Sequence, residues 1–382
     1  MYKNYQQTPA YQQQKCSYEI YRKQCRYLHI STAKLGHEEC EACILLTDQE
    51  QLAEHKRLAE RAREEYQKDK ERQLREDEAL YTLDMQKIVC LPRLLQYKQL
   101  VFCKRLTVFH HTLAPVGGTT NAKPTISAVW DECTAGRTAT EIISMLLKMI
   151  RDSPLRAKKH IEIWADNCSS QNKNYFIMGA LWSLVNQPNN GHETLTLKYF
   201  EPGHTFMAAD AVHAAVERKM VATKNVIDTD HFSECVLTAT RNTRLIRPAY
   251  SDFKKIPYPA SQRKLGRDAR PRLKELVVIQ LRQGSNSAWV KKDFDGEFER
   301  FDFLLKKVKR DGLPINDLLR EERRGIPQEK YDAIIKDLVP LIEQVDGGNH
   351  AWRAGFYHDL VCSDTSVDLA QADDEDPAED DQ

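Results

Sequence analysis

The order of predicted secondary structure between residues 81 and 225 constrains the fold of this chain most strongly. Three short β-like runs come first, around Asp84 and within residues 99–113 and 124–130. Their apolar residues alternate with polar ones or run together, as in half-buried and buried strands. The pattern then predicts, in order, a helix over residues 138–151, a strand over 160–166, a helix over 171–185, a strand over 194–200 and a helix over 208–220. The predicted order is therefore β-β-β-α-β-α-β-α.

Three antiparallel strands followed by alternating strands and helices form the topology of the RNase H-like fold. We therefore predict an α/β protein with an RNase H-like mixed sheet flanked by helices over residues 81–225. An N-terminal Cys/His cluster and a long helix precede this domain in our prediction, and a C-terminal α+β extension follows it. A fold of this kind hosts several chemistries, so the function depends on the residues of the site.

The first 80 residues of the chain divide into two predicted regions. Residues 1–48 are rich in Tyr, Gln and Cys, and residues 49–80 lack Gly and Pro and consist mostly of strong helix formers with many i,i+4 charge pairs. The second region predicts one long charged helix. Its apolar stripe is thin, which favours a solvated arm or a weak dimerisation helix, and we predict a homodimer through it as a possible assembly.

In the C-terminal part of the chain, basic and acidic residues are concentrated in separate segments. Residues 226–363 are predicted as a basic α+β extension. Within it, residues 241–274 contain eleven Lys and Arg against two acids, and the alternation of residues 276–304 predicts a small β-region. Residues 364–382 contain nine acids and no Lys or Arg and are predicted to be a disordered tail, so residues 1–363 carry a net charge of +9. A basic body is compatible with DNA as a partner, while the tail alternatively serves solubility alone. The predicted nucleic-acid-binding residues of this part are Arg263, Lys264 and Arg267.

Several classes of protein are disfavoured by what the sequence lacks. No run of about 18 uncharged apolar residues occurs, so no membrane span is expected. The first residues have no apolar core of a secretory signal. Ten cysteines in 382 residues are too few for a disulfide scaffold, and we expect reduced thiols in an intracellular chain. No phosphate-binding Walker loop, dinucleotide glycine fingerprint or G-x-S-x-G motif is present.

Four acidic residues are candidates for a catalytic divalent-metal site. Asp84 lies on the first predicted strand and Asp166 ends the fourth, while Asp210 and Glu217 share one face of the last helix because they are about 20° apart around its axis. His213 lies about 60° from them. Carboxylate oxygens from separate elements suit Mg²⁺ or Mn²⁺ in phosphoryl transfer. Asp131, which ends the third strand, is the alternative to Asp84.

A polar run, WADNCSSQNKN, directly follows the apolar strand that ends at Asp166. Side chains and backbone N–H groups at the start of the next helix are suited to binding phosphate. The alternative is that Asp166 is only a turn or N-cap residue. The predicted nucleic-acid-binding residues of this run are Asn167, Gln171, Asn172 and Lys173.

A C-x₂-C pair, Cys40 and Cys43, predicts a structural zinc site near the N-terminus. His37 precedes the pair and His55 follows it, and thiolates with imidazoles are the ligands that tetrahedral Zn²⁺ prefers. Cys25 is an alternative to His37 as the fourth ligand. The other interpretation is that the two cysteines are half-buried packing residues before the apolar run that follows.

Four sequence strings carry a resemblance to a known family. They are TLDMQKIVCLPRL, AVWDECTAGRTATEI, WADNCSSQNKN and YFEPGHTFMAADAVHAAVERK. Together they resemble an uncharacterised eukaryotic family that is associated with transposable elements and regarded as RNase H-like and transposase-related. The resemblance is colinear over residues 18–225 and extends weakly to GIPQEKYDAIIKDLVPLI. Ser169 and Ser170 stand where the family more usually has two glycines.

The resemblance implies a site and a function. The acids would be Asp84, Asp166 and either Glu217 or Asp210. The activity would be metal-dependent cleavage or strand transfer of DNA phosphodiester bonds. We predict a nuclear or cytoplasmic location and favour the nucleus. The alternative is a domesticated, catalytically inactive DNA-binding or protein-interaction module on the same fold. His204 and His213 are secondary candidates for a role in the site.

Overall fold

The computed structural model describes residues 5–6, 8–28, 40–94, 97–188, 190–260 and 272–363. The chain divides into two compact units, Met1–Arg57 and Leu58–Gln382. The predicted ligand His37, the predicted DNA contacts Arg263, Lys264 and Arg267, and the predicted acidic tail lie outside the described residues. Over the described ranges, no helix combines the length and the apolar character that a membrane span needs.

The first unit is helical where the structure describes it. Its helices are α1 (Pro9–Gln13), α2 (Tyr18–Tyr27), α3 (Glu41–Leu45) and the beginning of α4 (Gln49–Glu71). The Asp48 carboxylate accepts the N–H groups of Glu50 and Gln51 at 2.8 and 3.1 Å, which caps the free donors at the start of α4. The predicted long helix is therefore present, but it ends at Glu71 rather than at residue 80.

The part of α4 that belongs to the second unit packs on that unit's sheet. Ala62 and Tyr66 are buried in one apolar cluster with Trp164 and Phe200. The Tyr66 ring lies 5.4 Å from the Trp164 ring and 5.2 Å from the Phe200 ring, measured between centroids. The interpretation of α4 as a solvated arm is wrong for this part, because its thin apolar stripe is covered by the same chain.

The second unit is built on one ten-stranded mixed sheet. Its strand order is β12-β11-β10-β7-β6-β1-β4-β5-β9, with β2 paired to β4, and a separate two-stranded sheet joins β3 to β8. The strands are β1 (Glu78–Met85), β2 (Val89–Leu91), β3 (Arg93–Leu94), β4 (Leu106–Pro115), β5 (Thr125–Asp131), β6 (His160–Ala165), β7 (Thr194–Tyr199), β8 (Asn225–Val226), β9 (Thr243–Ile246), β10 (Val278–Arg282), β11 (Ala288–Lys291) and β12 (Glu299–Phe301). Strand β1 is antiparallel to β4 and parallel to β6, which is in turn parallel to β7.

Helices cover both faces of this sheet. They are α5 (Ala139–Arg151), α6 (Tyr175–Asn186), α7 (Ala208–Thr223), α8 (Thr229–Ala239), α9 (Lys306–Asp311), α10 (Gln328–Ala333), a π-helical turn (Ile334–Leu338), α11 (Val339–Gln344) and α12 (Ala354–His358). Helices α5 and α6 bury one face in the main apolar core. Helices α7, α8 and the C-terminal helices contribute to the apolar clusters of the other face.

The predicted α/β class is confirmed, and the structure adds the short strands β2 and β3 between the first two predicted strands. A mixed sheet flanked by helices forms, and every strand and helix predicted between residues 81 and 225 is present. The predicted domain boundary at residue 225 is wrong, because β9 pairs with β5 and β10 pairs with β7, so the sheet continues into the supposed extension. A small β-region after residue 276, predicted from alternation, forms this edge of the sheet.

Candidate functional site

Two neighbouring strands bring Asp84 and Asp166 to the same end of the sheet. Strands β1 and β6 are parallel, with Leu83 level with Ala165. The next residue along each strand is the acid, so both carboxylates lie where ligands bind in open α/β sheets. A third acid, Asp210, is in the first turn of α7, where its Oδ2 accepts the Met207 N–H at 2.8 Å.

The electrostatics show that these three acids form one group, here called the carboxylate cluster. Burial raises the pKa of Asp166, and the charges of Asp84 and Asp210 raise it further. Burial also raises the pKa of Asp210, to which Asp84 adds, while His213 and Arg63 act in the opposite direction. Because the charge of Asp84 raises the pKa of both other acids, Asp84 is their common neighbour in the cluster.

A chain of imidazoles and hydroxyls leads from Asp84 into the protein. His213 on α7 places Nδ1 3.3 Å from Asp84 Oδ2 and Nε2 3.0 Å from Thr112 Oγ1. Thr112 Oγ1 lies 3.0 Å from His110 Nε2, and His110 Nδ1 lies 2.7 Å from Gln86 Oε1. Burial lowers the pKa of His110 well below its usual value, so its ring is neutral at pH 7. This series of hydrogen-bonded side chains fixes the Asp84 carboxylate on the side that faces α7.

Glu217 lies outside the carboxylate cluster although it shares a helix face with Asp210. Its oxygens accept from Arg93 at 2.7 Å and from Gln86 at 3.2 Å. It therefore contacts Gln86, at the far end of the series of hydrogen-bonded side chains that starts at Asp84. The structure brings Asp210, and not Glu217, together with Asp84 and Asp166.

Asp131, the alternative first acid, is placed elsewhere in the sheet. Asp84 is level with Thr112 and Thr112 with Ser127, so Asp131 lies four residues, or about 13 Å, further along its strand. Its Oδ1 accepts the Thr134 N–H at 2.9 Å. This carboxylate closes the turn after β5.

The polar run after β6 folds into an internally bonded loop. Asp166 Oδ1 accepts from the Cys168 N–H at 3.2 Å and from Asn172 Nδ2 at 2.5 Å. Asn174 caps α6, because its side chain accepts the Ile177 N–H at 3.0 Å. Asp166 is therefore both a turn residue and a member of the carboxylate cluster, and the two interpretations of the sequence do not exclude each other.

Most of the predicted phosphate contacts of this loop support its structure. Lys173 is buried, donates to Asn167 and to the Lys274 carbonyl, and lies 4.7 Å from the Tyr199 ring centroid. Burial lowers its pKa to about 8. Asn167 donates to the Phe200 carbonyl at 2.8 Å. Asn172 is buried as well, while Asn167 and Gln171 are half-buried.

A second group of metal-ligating residues lies in the first unit. Cys40 precedes α3, Cys43 is one turn later, and His55 is on α4. Cys40 Sγ lies 3.2 Å from His55 Nε2, and the donor atoms of all three residues lie within 4.8 Å of one another. Burial raises the pKa of Cys43, and its hydrogen bond with Cys40 adds to the effect. This group can bind a metal ion such as zinc.

Of the two candidates for the fourth ligand, one lies outside the described residues and the other does not join the Cys/His group. His37 lies outside the described residues. Cys25 is on α2, where its thiol contacts the Tyr21 hydroxyl. The structure thus brings Cys40, Cys43 and His55 together and does not bring the alternative ligand Cys25 to them.

Comparison with known proteins gives one partial match. Residues 122–256 match the family model described as "Domain of unknown function (DUF7869)". The matched segment includes Asp166 and Asp210 and begins after Asp84. No match is found among curated proteins or among solved structures.

The sequence interpretation missed the residues that support Asp84. His110 and Thr112 are two apart on β4 and therefore share a face of the sheet. Together with His111 they form a run of three polar residues in a strand that is otherwise mostly apolar, and this run was the available signal. Arg63 was also missed, because nothing local in α4 distinguishes it from the other charged residues of that helix.

Proposed function

We propose that this chain is a transposase-derived nucleic-acid-processing protein that carries out metal-dependent cleavage or transfer of phosphodiester bonds in DNA. The carboxylate cluster of Asp84, Asp166 and Asp210 is the observation that carries the proposal. Acids that meet at the carboxyl ends of two parallel strands, from three separate elements, are what two-metal phosphoryl transfer requires.

The strand order supports the RNase H-like part of the proposal. Within the sheet, β5, β4, β1, β6 and β7 are consecutive neighbours. The first three are antiparallel to one another, and β6 and β7 continue in parallel from β1. This is the arrangement that the order β-β-β-α-β-α-β predicts for an RNase H-like sheet, and it agrees with the resemblance to transposase-related domains.

The donor set fits Mg²⁺ or Mn²⁺. All three residues offer carboxylate oxygens. Burial is the main cause of the raised pKa values of Asp166 and Asp210, and the charge of Asp84 adds to it. In the described residues, the three acids do not bring one oxygen each to within 4.8 Å of one another, so one ion does not contact all three in this arrangement. The three acids would hold one or two such ions, which would stabilise the charge on the attacking and leaving oxygens of the phosphodiester.

The chain's own residues orient the three acids. Asn172 and the Cys168 N–H hold Asp166, the Met207 N–H holds Asp210, and His213 holds Asp84. Side chains that are fixed in this way lose little freedom when a cation or a phosphate binds.

The same contacts favour a second candidate, a domesticated DNA-binding protein without catalysis. Each carboxylate of the cluster already has a hydrogen-bonding or charged partner within the chain. A site that is satisfied in this way keeps its geometry after its chemistry is lost. The two candidates differ in whether DNA is cleaved when metal is added.

A nuclease assay separates the two candidates. Purified protein is incubated with labelled DNA and Mn²⁺ or Mg²⁺, as wild type, Asp166→Asn and Glu217→Gln. The catalytic proposal expects cleavage by wild type and by Glu217→Gln, whose residue lies outside the cluster, and background cleavage by Asp166→Asn. DNA binding without cleavage by wild type would establish the second candidate instead.

For the Cys/His group we propose a structural zinc ion. Two thiolates and one imidazole supply three positions of a tetrahedral site, and a closed fourth position is typical of structural rather than catalytic zinc. His37, the predicted fourth ligand, remains our candidate for that position. Such an ion would join α3 to the first turns of α4.

A further inference from the structure

Phe206 presents an exposed aromatic ring beside the carboxylate cluster. It lies two residues before α7, and 64% of its surface is exposed. Exposing a phenyl ring to water is unfavourable by about 2 kcal/mol relative to burying it. The loop from Glu201 to Met207 therefore carries an apolar surface that the fold does not need for its own core.

The main chain around Phe206 is fixed although its ring is exposed. Arg63 donates from its guanidinium to the carbonyl oxygens of Phe206 and His204. The next N–H after Phe206, that of Met207, donates to Asp210 Oδ2 at 2.8 Å. One peptide bond and one hydrogen bond thus separate Phe206 from a member of the carboxylate cluster. An exposed ring on a fixed main chain is a preformed surface rather than a loose side chain.

Arg63 links this ring to the acids by charge. Its guanidinium carbon lies 5.8 Å from the Phe206 ring centroid and 5.1 Å from that of Phe200. Burial raises the pKa of Asp210, and the charge of the same guanidinium opposes that rise. A planar apolar ring, a cation and a group of carboxylates therefore lie side by side at this end of the sheet.

We propose that Phe206 is a stacking platform for an unpaired base of a single-stranded nucleic acid whose backbone runs over the carboxylate cluster. This inference rests on the proposed function and names its substrate class. An aromatic ring attracts any base through its π face, and a base inside a duplex has both faces already stacked. The cationic Arg63 beside the ring suits the phosphate next to that base.

The test measures binding without chemistry. Fluorescence anisotropy of a labelled oligothymidylate and of a labelled duplex is recorded at one salt concentration without added divalent metal, for wild type and three variants. Phe206→Ala should bind the single strand roughly tenfold more weakly, the loss expected for one stacked base, and should bind the duplex unchanged. Phe206→Trp should bind the single strand at least as tightly as wild type. Because the ring is exposed, both variants should keep the wild-type melting temperature.

Trp352→Ala is the matched control. Trp352 is 71% exposed and has the Arg353 guanidinium 4.4 Å from its ring centroid, so it repeats the exposed ring and cation away from the three acids. Its removal should leave single-strand binding at the wild-type level. Equal binding by Phe206→Ala and Trp352→Ala overturns the platform, as does an equal loss on single strand and duplex.

The outcomes also separate this inference from the proposed function. If Phe206→Ala binds normally while wild type cleaves DNA and Asp166→Asn does not, the platform fails and the proposed function stands. If Phe206→Ala loses single-strand binding while wild type never cleaves, the platform stands on a protein without catalysis. If wild type binds no nucleic acid, both fail.

Discussion

Asp84 on β1 and His213 on α7 form the contact that ties the helix of the candidate site to its sheet, with His213 Nδ1 3.3 Å from Asp84 Oδ2. The other ring nitrogen of His213 contacts Thr112 Oγ1 at 3.0 Å. His213 is therefore held at both nitrogens, on one side by an acid of the cluster and on the other by a hydroxyl of the neighbouring strand.

This arrangement predicts non-additive losses of stability. His213→Ala and Thr112→Val should each lower the free energy of unfolding by about 1–3 kcal/mol, because each leaves a buried polar partner unsatisfied. The double variant should lose less than the sum, with a coupling energy of about 0.5–3 kcal/mol in urea denaturation. Thr125→Val is the control, because Thr125 Oγ1 is buried with no hydrogen-bond partner within the described residues, and the same substitution should leave stability unchanged or raised. Strict additivity would contradict the coupling.

Divalent metal should stabilise the fold through the carboxylate cluster. An ion that binds only the folded chain adds about 2.7 kcal/mol to the free energy of unfolding at a concentration 100 times its Kd. Asp166→Asn should abolish this increase in thermal melts with Mn²⁺. Asp131→Asn should keep it, because Asp131 closes a turn outside the cluster, although that variant should be less stable without metal. Equal metal responses of wild type and Asp166→Asn would remove Asp166 from the site.

Without metal, Asp166→Asn should be more stable than wild type at neutral pH. Burial and the neighbouring acids raise the pKa of Asp166 above 3.8, so the folded chain binds its proton more tightly than the unfolded chain does. Stability from this group is therefore present at low pH and lost as pH rises through the raised pKa. The asparagine variant avoids that loss while accepting the same two hydrogen bonds. The stability advantage of Asp166→Asn over wild type should shrink as pH falls towards 3.8. Urea denaturation between about pH 4 and pH 7 measures this difference. An advantage independent of pH would exclude the charge as its cause.

The sequence predicts the two strand acids of the cluster better than the helix acid. Strand order alone places Asp84 beside Asp166, because the first and fourth strands of such a sheet are parallel neighbours. Asp210 and Glu217 share one helix face and differ by seven residues, or about 10 Å along the axis. Only the position of α7 along the sheet decides between them, and that position depends on long-range packing.

The same limit explains the errors about α4 and the domain boundary. The buried partners of Ala62 and Tyr66 include Trp164 and Phe200, which are about 100 residues or more further along the chain. Local periodicity carries no information about such partners, so the thin apolar stripe of α4 predicts a solvated helix. Likewise, the pairing of β10 with β7 joins residues about 80 apart. Alternation predicted these strands but not which sheet they enter.

The Cys/His group should hold zinc that depends on its three donors. Cys40→Ser, Cys43→Ser and His55→Ala should each reduce the zinc content of the purified chain to background, measured by mass spectrometry of the metal. Cys103→Ser is the control, because the Cys103 thiol contacts the Gln99 carbonyl and is no part of the group. Chelation should also lower the melting temperature of wild type, because zinc binds only the folded site. Zinc-free wild type with freely alkylated Cys40 and Cys43 would leave them as packing residues.

Lys198 should be the most costly lysine to replace in the sheet. Its Nζ lies 2.7 Å from Asp69 Oδ2 and 3.0 Å from Glu162 Oε2, and Asp69 also accepts from Trp164 Nε1 at 2.8 Å. All of these groups are buried or nearly so, and Asp69 lies on the part of α4 that packs on the sheet. Lys198→Met would leave two acids without their shared cation and should lower the free energy of unfolding by about 3–5 kcal/mol.

Lys159→Met gives the matched comparison for this prediction. Lys159 makes an equally short contact with Glu193, at 2.7 Å, but the two side chains are 53% and 45% exposed. An exposed pair of this kind contributes little to stability and is screened by salt, whereas the buried group around Lys198 is screened much less. Urea denaturation at low and high salt should therefore show a large loss that changes little with salt for Lys198→Met and a small, salt-dependent one for Lys159→Met. Similar losses for the two variants would mean that Asp69 and Glu162 find other partners and that α4 docks on the sheet through its aromatic contacts alone.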